Sequence, residues 1–121
     1  MDFKKQNPIY LQIADTLCER IVADEWAVDE RIPSVRDVAA ELAVNPNTVM
    51  RTFDYLQGSD IIYNRRGVGY FVASKAKERI KKMHRQRFID EDLPYLVQKM
   101  RMLDITIDEI KEMIDAAGDT I

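Results

Sequence analysis

Apolar residues recur along this chain first with the period of a helix, then briefly with that of a strand, then again with that of a helix. Tyr10, Ile13, Ala14, Leu17, Cys18 and Ile21 fall at i, i+3, i+4, i+7, i+8 and i+11, one face of a helix over residues 9–22, with Pro8 near its first turn. Ala23 to Pro33 is charged and aperiodic and reads as a connection. Ser34 then opens an S-x-x-D start with Asp37, and Val35, Val38, Ala39 and Leu42 form the next apolar face. The pattern is cut at Val44-Asn45-Pro46 and restarts at once. Asn45 suits an N-cap, and Pro46 suits the first helical position, where its missing N–H costs nothing. Val49, Thr52, Phe53 and Leu56 give a third helix its inward stripe, which ends around Gly58.

The period changes after that glycine. Ile61-Ile62-Tyr63-Asn64-Arg65 and Tyr70-Phe71-Val72 are β-rich runs around Arg66-Gly67-Val68-Gly69, the signature of a short hairpin. Three helices followed by a hairpin is the plan of a winged helix-turn-helix. In that motif the break at Val44-Asn45-Pro46 is the turn, and the helix beyond it enters the major groove of DNA amino-terminus first. The outward side of its first two turns offers Asn45, Asn47, Thr48, Met50 and Arg51, short hydrogen-bonding groups plus one long cation. The N–H groups of the helix start also suit a phosphate oxygen.

Charge complicates this picture. The net charge is −3, and residues 1–73 hold 8 Lys/Arg against 11 Asp/Glu, whereas phosphate binding needs cations. Their distribution outweighs the average. Arg31 and Arg36 flank the start of the second helix, Arg51 lies on the third, and Arg65-Arg66 stand at the hairpin tip. In a winged helix Arg36 and Arg51 face one groove, while Arg66 and Gly67 reach the neighbouring minor groove or backbone. A side chain at Gly67 would hold the wing off the duplex.

The tail returns to helical spacing. Ala76, Ile80 and Met83 stripe a strongly basic segment, and Ile89, Leu93, Leu96, Val97 and Met100 continue the apolar pattern, with Pro94 requiring a first turn or a kink. Thr106 and Glu109 form another capping box before Ile107, Ile110 and Ile114. So short a tail cannot bury these stripes alone, and self-association through Ile89, Leu93, Leu96, Val97 and Met100 is the economical solution. The expected architecture is mainly α: a winged helix-turn-helix DNA-binding domain over residues 1–73, and a small all-helical dimerisation domain over residues 74–121.

Other classes find little support. The single cysteine, Cys18, sits on an apolar face and forms no disulfide framework or metal ligand set. No segment approaches the length of a membrane span, and MDFKKQNPIY contains no apolar targeting run, which makes the expectation a soluble, cytoplasmic protein without cofactor or metal. No nucleotide-binding loop or acid–base constellation is present, and His84, the one histidine, lies in the basic segment. An enzyme is not expected. The competing function is a winged helix that binds another protein and no DNA, which salt dependence separates from a DNA reader.

Taken together, N-P-I-Y-L-Q-I-A (7–14), R-I-P-S-V-R-D-V-A (31–39), V-N-P-N-T-V (44–49) and R-R-G-V-G-Y-F-V (65–72) closely resemble the GntR family of bacterial transcription regulators, and the short tail resembles its YtrA-type subfamily. The resemblance implies a homodimer joined through its C-terminal helices; a two-fold dimer suits a palindrome, and the expected function is a repressor on palindromic double-stranded operator DNA. Family members respond to small-molecule effectors, although this tail is far smaller than the usual effector domain and the sequence places no pocket and no effector identity. Arg36, Asn45, Asn47, Thr48, Arg66 and Gly67 occupy positions where family members contact the operator, and Arg51 joins them from its place on the helix. Pro46 and Met50 stand where some relatives carry arginine, so base preference does not transfer. Asp29 and Asp60 stand where the family often has glycine; aspartate tolerates left-handed backbone, so the fold is expected to survive at a small cost in stability.

Overall fold

The computed structural model describes residues 7–118, so the start of the chain read above as lacking a targeting run lies partly outside the described residues. The chain forms two compact units, Lys5–His84 and a second beginning at Arg85. The expected boundary at residue 73 falls inside the first unit, because Ala76 and Ile80 of the following helix are buried in its core.

In the first unit, α1 (Ile9–Val22), α2 (Val35–Leu42) and α3 (Pro46–Gly58) precede an antiparallel hairpin of β1 (Ile62–Arg65) and β2 (Gly69–Val72), and α4 (Ala76–Arg87) follows, its last three residues falling in the second unit. The helix starts are set locally. Ser34 Oγ accepts a hydrogen bond from the Asp37 N–H at 3.1 Å, and Asn45 Oδ1 accepts one from the Asn47 N–H at 2.8 Å, each satisfying a donor with no intrahelical partner. The intervening turn depends on Ala43, whose left-handed φ of 54° ends α2 while its N–H bonds back to the Ala39 carbonyl. Asp29 and Asp60 also adopt positive φ, 64° and 59°, the conformation for which glycine is the usual choice.

The core draws on every element. Ile13, Ala14, Leu17, Cys18 and Ile21 of α1 meet Val38 and Ala39 of α2, Val49, Phe53 and Leu56 of α3, and Ile62 and Val72 of the hairpin. Cys18 is an ordinary core residue. Full burial of side chains the size of Leu17, Phe53 or Leu56 stabilises the unit by roughly 1.5–3 kcal/mol each. Thr52, the polar residue of this core, donates its hydroxyl to the Tyr10 carbonyl at 2.7 Å and thereby fixes α3 against α1. The aperiodic segment between α1 and α2 is more than a connection. Trp26 and Ile32 are buried, and the segment lines β2 through Asp29 N–H to the Val72 carbonyl, Val72 N–H to the Glu30 carbonyl and Ile32 N–H to the Tyr70 carbonyl.

The second unit continues helically. A π-helical turn over Phe88–Asp92 leads into α5 (Leu93–Met102), so the backbone near Pro94 stays helical and the proline sits in the first turn of α5. The wide turn, closed by the Leu93 N–H on the Phe88 carbonyl, accommodates a residue that cannot donate an i→i−4 bond. Asp104 at φ 56° ends this stretch, and Thr106 caps α6 (Ile107–Ala117) by accepting from the Glu109 N–H at 3.2 Å. No residue of the π turn, α5 or α6 is buried.

Candidate nucleic-acid interface

The first turn of α3 presents the groups that its sequence offered. Asn45 and Asn47 are exposed and Thr48 is half-buried, while Val49, Thr52 and Phe53 turn inward. Asn45 Oδ1 is occupied in capping, which leaves its amide NH2 as the donor for an outside group. Arg51 is exposed, and its guanidinium lies over the Tyr10 ring of α1 at 4.0 Å, so a cation–π contact fixes where the charge stands. Arg36 is exposed on the first turn of α2, across the helix-turn-helix corner. These residues are brought onto the two helices of one corner.

The hairpin supplies a second group. In register, Ile62 pairs with Val72, Tyr63 with Phe71, Asn64 with Tyr70 and Arg65 with Gly69, leaving Arg66-Gly67-Val68 as the tip. The Val68 N–H closes the turn on the Arg65 carbonyl at 2.8 Å, and Gly67 has φ +79°, the positive value that a type II turn requires at its third position. A Cβ on Gly67 would meet no atom of the chain within 4 Å, so backbone conformation, and not internal packing, requires glycine there. The wing is anchored by Tyr70, whose ring meets Phe53 edge-on at 4.9 Å; burial, with a smaller contribution from Asp54, holds the Tyr70 hydroxyl pKa above its ordinary value.

Partnering of charges explains how an acidic chain offers a basic face. Arg20 forms a two-pronged bond to Glu41, at 2.6 and 3.1 Å, Lys77 meets Asp24 at 2.6 Å, and Arg79 meets Asp60 at 3.6 Å. The bond from Arg20 lowers the Glu41 carboxyl pKa. By contrast, Arg31, Arg36, Arg51, Arg65 and Arg66 form no ion pair with a described residue. Glu41, Asp24 and Asp60 are thus engaged by Arg20, Lys77 and Arg79 and not by the five arginines. Of the five arginines, sequence reasoning assigned no role to Arg31 or Arg65. Arg31 is placed by its bridge to Phe71 and Arg65 by stacking on the same ring, both products of strand pairing that periodicity does not reveal.

Residues proposed for dimerisation lie elsewhere. Ile89, Leu96 and Val97 are exposed and Leu93 and Met100 half-buried. Met102, Leu103, Ile107, Met113 and Ile114, which were not assigned to that surface, are exposed as well.

A helix-turn-helix backed by a wing, with carboxylate-free arginines on both, defines a DNA-binding transcription regulator. The model of the bacterial regulatory proteins of the gntR family matches residues 9–72, and the chain belongs to that family. An HTH-type transcriptional regulator of Bacillus subtilis, YhcF, is 38% identical over 112 residues, covering 93% of this chain and 91% of the relative. The transcriptional repressor YtrA of the same organism is 27% identical over 94% of this chain and 87% of its own. A GntR-family regulator from Bacteroides thetaiotaomicron superposes with a TM-score of 0.77 at 44% identity, over 90% of this chain and 95% of that one. The family is one of regulators rather than enzymes, and no helix of the described residues is long and apolar enough to cross a membrane.

Proposed function

We propose that this regulator is a homodimeric repressor that reads a palindromic operator, with α3 in the major groove and the wing at the flanking minor groove. Asn45, Asn47, Thr48 and Arg51 meet base edges and phosphates, Arg36 contacts the same groove, and Arg66-Gly67 enters the minor groove. The observation that carries this reading is the set of arginines left without carboxylate partners on the helix-turn-helix corner and wing. Repression is supported by the similarity to the repressor YtrA.

Dimerisation rests on the second unit. Leu96, Val97, Ile107, Met113 and Ile114 are all exposed, Ile107 to 77%, and so many exposed apolar side chains on two short helices call for a partner. A second copy supplies it with two-fold symmetry, which also sets two recognition helices on a palindrome with half-sites about one helical turn apart.

The test is binding to duplex DNA from the protein's own promoter region against a scrambled duplex, at several salt concentrations. Preference for the promoter with a steep salt dependence is the expected result. Arg36→Ala should weaken operator binding by roughly 1–3 kcal/mol with the melting curve and oligomeric state unchanged. Apolar binding to a protein, insensitive to salt, with no DNA bound even at low salt, would replace this reading with that of an interaction module.

A further inference from the structure

The outer face of the wing is built around a glycine and two arginines. Cross-strand pairing places Tyr63 opposite Phe71 and Arg65 opposite Gly69, so these four residues share one face of the hairpin. Tyr70 belongs to the alternate face and packs on Phe53, which identifies the Arg65 face as the one turned away from the core. Tyr63 stacks on Phe71 with ring centres 5.6 Å apart, and Arg65 stands over the same Phe71 ring at 5.0 Å. Arg31 joins the sheet edge through its bridge to Phe71 and extends along β2 toward the tip. Its guanidinium lies where a Gly69 side chain would be: a Cβ there would stand 2.7 Å from Arg31 Nε and 3.3 Å from Cζ and Nη2.

Two guanidinium groups are thus directed to neighbouring positions one row behind the Arg66-Gly67-Val68 tip. Neither forms an ion pair with a described residue. The carboxylate that reaches this face, Asp29, accepts the Tyr63 hydroxyl at 2.7 Å, a bond that raises the Tyr63 pKa. Two guanidinium groups at neighbouring positions, neither in ion-pair contact with a described carboxylate, can both turn to an anion, and guanidinium forks match the oxygens of a phosphate.

We infer that Arg31 and Arg65 form a seat for a backbone phosphate on the outer side of the wing, and that Gly69 keeps the seat open by leaving room for Arg31. This rests on the operator reading, in which the tip enters a minor groove. That groove is bounded by two sugar-phosphate strands, so a wing inserted there has one face toward the strand beneath α3 and the other toward the opposite strand. Arg31 and Arg65 occupy the second face. The bond is to phosphate, so it adds affinity without base preference.

The experiment measures binding to promoter and scrambled duplexes across salt concentration for the full-length protein and for Arg31→Ala, Gly69→Ala, their double variant and Arg36→Ala. Arg31→Ala should weaken binding to both duplexes by a similar factor, roughly five- to tenfold at 0.1 M salt, and lower the slope of log affinity against log salt by about 1. Gly69→Ala keeps every charge but displaces the guanidinium and, at φ +147°, also strains the wing backbone, so its loss should be at least that of Arg31→Ala, and the double variant should be no weaker than Gly69→Ala alone. Additive losses in the double variant would overturn the shared seat. An unchanged salt slope in Arg31→Ala would overturn it as well, and does so whether or not Gly69→Ala folds. If Arg36→Ala still loses operator preference, only the seat has failed; if Arg36→Ala also binds normally, the operator face itself is misplaced.

Discussion

The same apolar periodicity has opposite fates in the two units of this molecule. On α1 and α3 the residues at helical spacing, Tyr10 apart, are buried to 5% exposure or less, and on α5 and α6 residues at equally regular spacing are half-buried or exposed. Composition does not separate them, because Leu, Ile and Val recur in both sets. The number of elements does. The first unit has four helices and a hairpin converging on Phe53 and Leu17, while the second has two helices and a π turn, too few layers to enclose a stripe. One unit holds its own core; in the proposed assembly the other completes its core with a second copy.

The sharpest way to break this contrast is Leu96→Asp. A charge in the proposed interface should give monomers by light scattering and lower operator affinity on the order of 10²–10⁴-fold, since the second half-site no longer binds intramolecularly. A stable dimer with Leu96→Asp would place the interface elsewhere. Next in size is Phe53→Ala, which should cost about 3–5 kcal/mol in urea unfolding, independent of protein concentration, because its fully buried ring packs within a single chain. Dependence on concentration would show that the first unit also borrows stability from a partner.

Cap removal sharpens the comparison further. Ser34→Ala should cost about 1 kcal/mol in the first unit whatever the concentration, whereas Thr106→Ala, of similar intrinsic size, should register in the concentration-dependent step, since α6 is stabilised by assembly. The smallest effect concerns Arg20 and Glu41, which tie α1 to α2. Glu41 has a lowered folded-state pKa, chiefly through its bond to Arg20, so its contribution is complete above the ordinary glutamate value and declines as pH falls through the lowered one. Glu41→Gln should flatten that part of the acid titration, and added salt should do much the same. Equal acid sensitivity in the variant would assign it to other carboxylates.

Legibility followed locality. Ser34, Asn45-Pro46 and Thr106 announced helix starts because a cap involves residues two or three apart, and each bond formed as expected. The left-handed backbone at Asp29 and Asp60 was legible only by likeness to chains with glycine there. Trp26 and Ile32 were passed over because an isolated segment with no repeating period gives no burial signal; Ile32 is held to β2 by its N–H, and both residues are buried once the segment joins the core. For the site, the turn of α3 and the wing tip were legible as pattern. The freedom of five arginines from carboxylates was not, because Arg20 meets Glu41 and Arg79 meets Asp60 only once the helices pack.

The sequence alone therefore determined the order of helices and hairpin, the helix-turn-helix break and the amphipathic character of the tail, since each depends on capping, turn chemistry and periodicity within a few residues. Tertiary structure decided which charges neutralise one another, which connection joins the core, and that Gly69 opposes Arg31, because those outcomes depend on contacts between residues 19 to 40 or more positions apart, which no local pattern encodes.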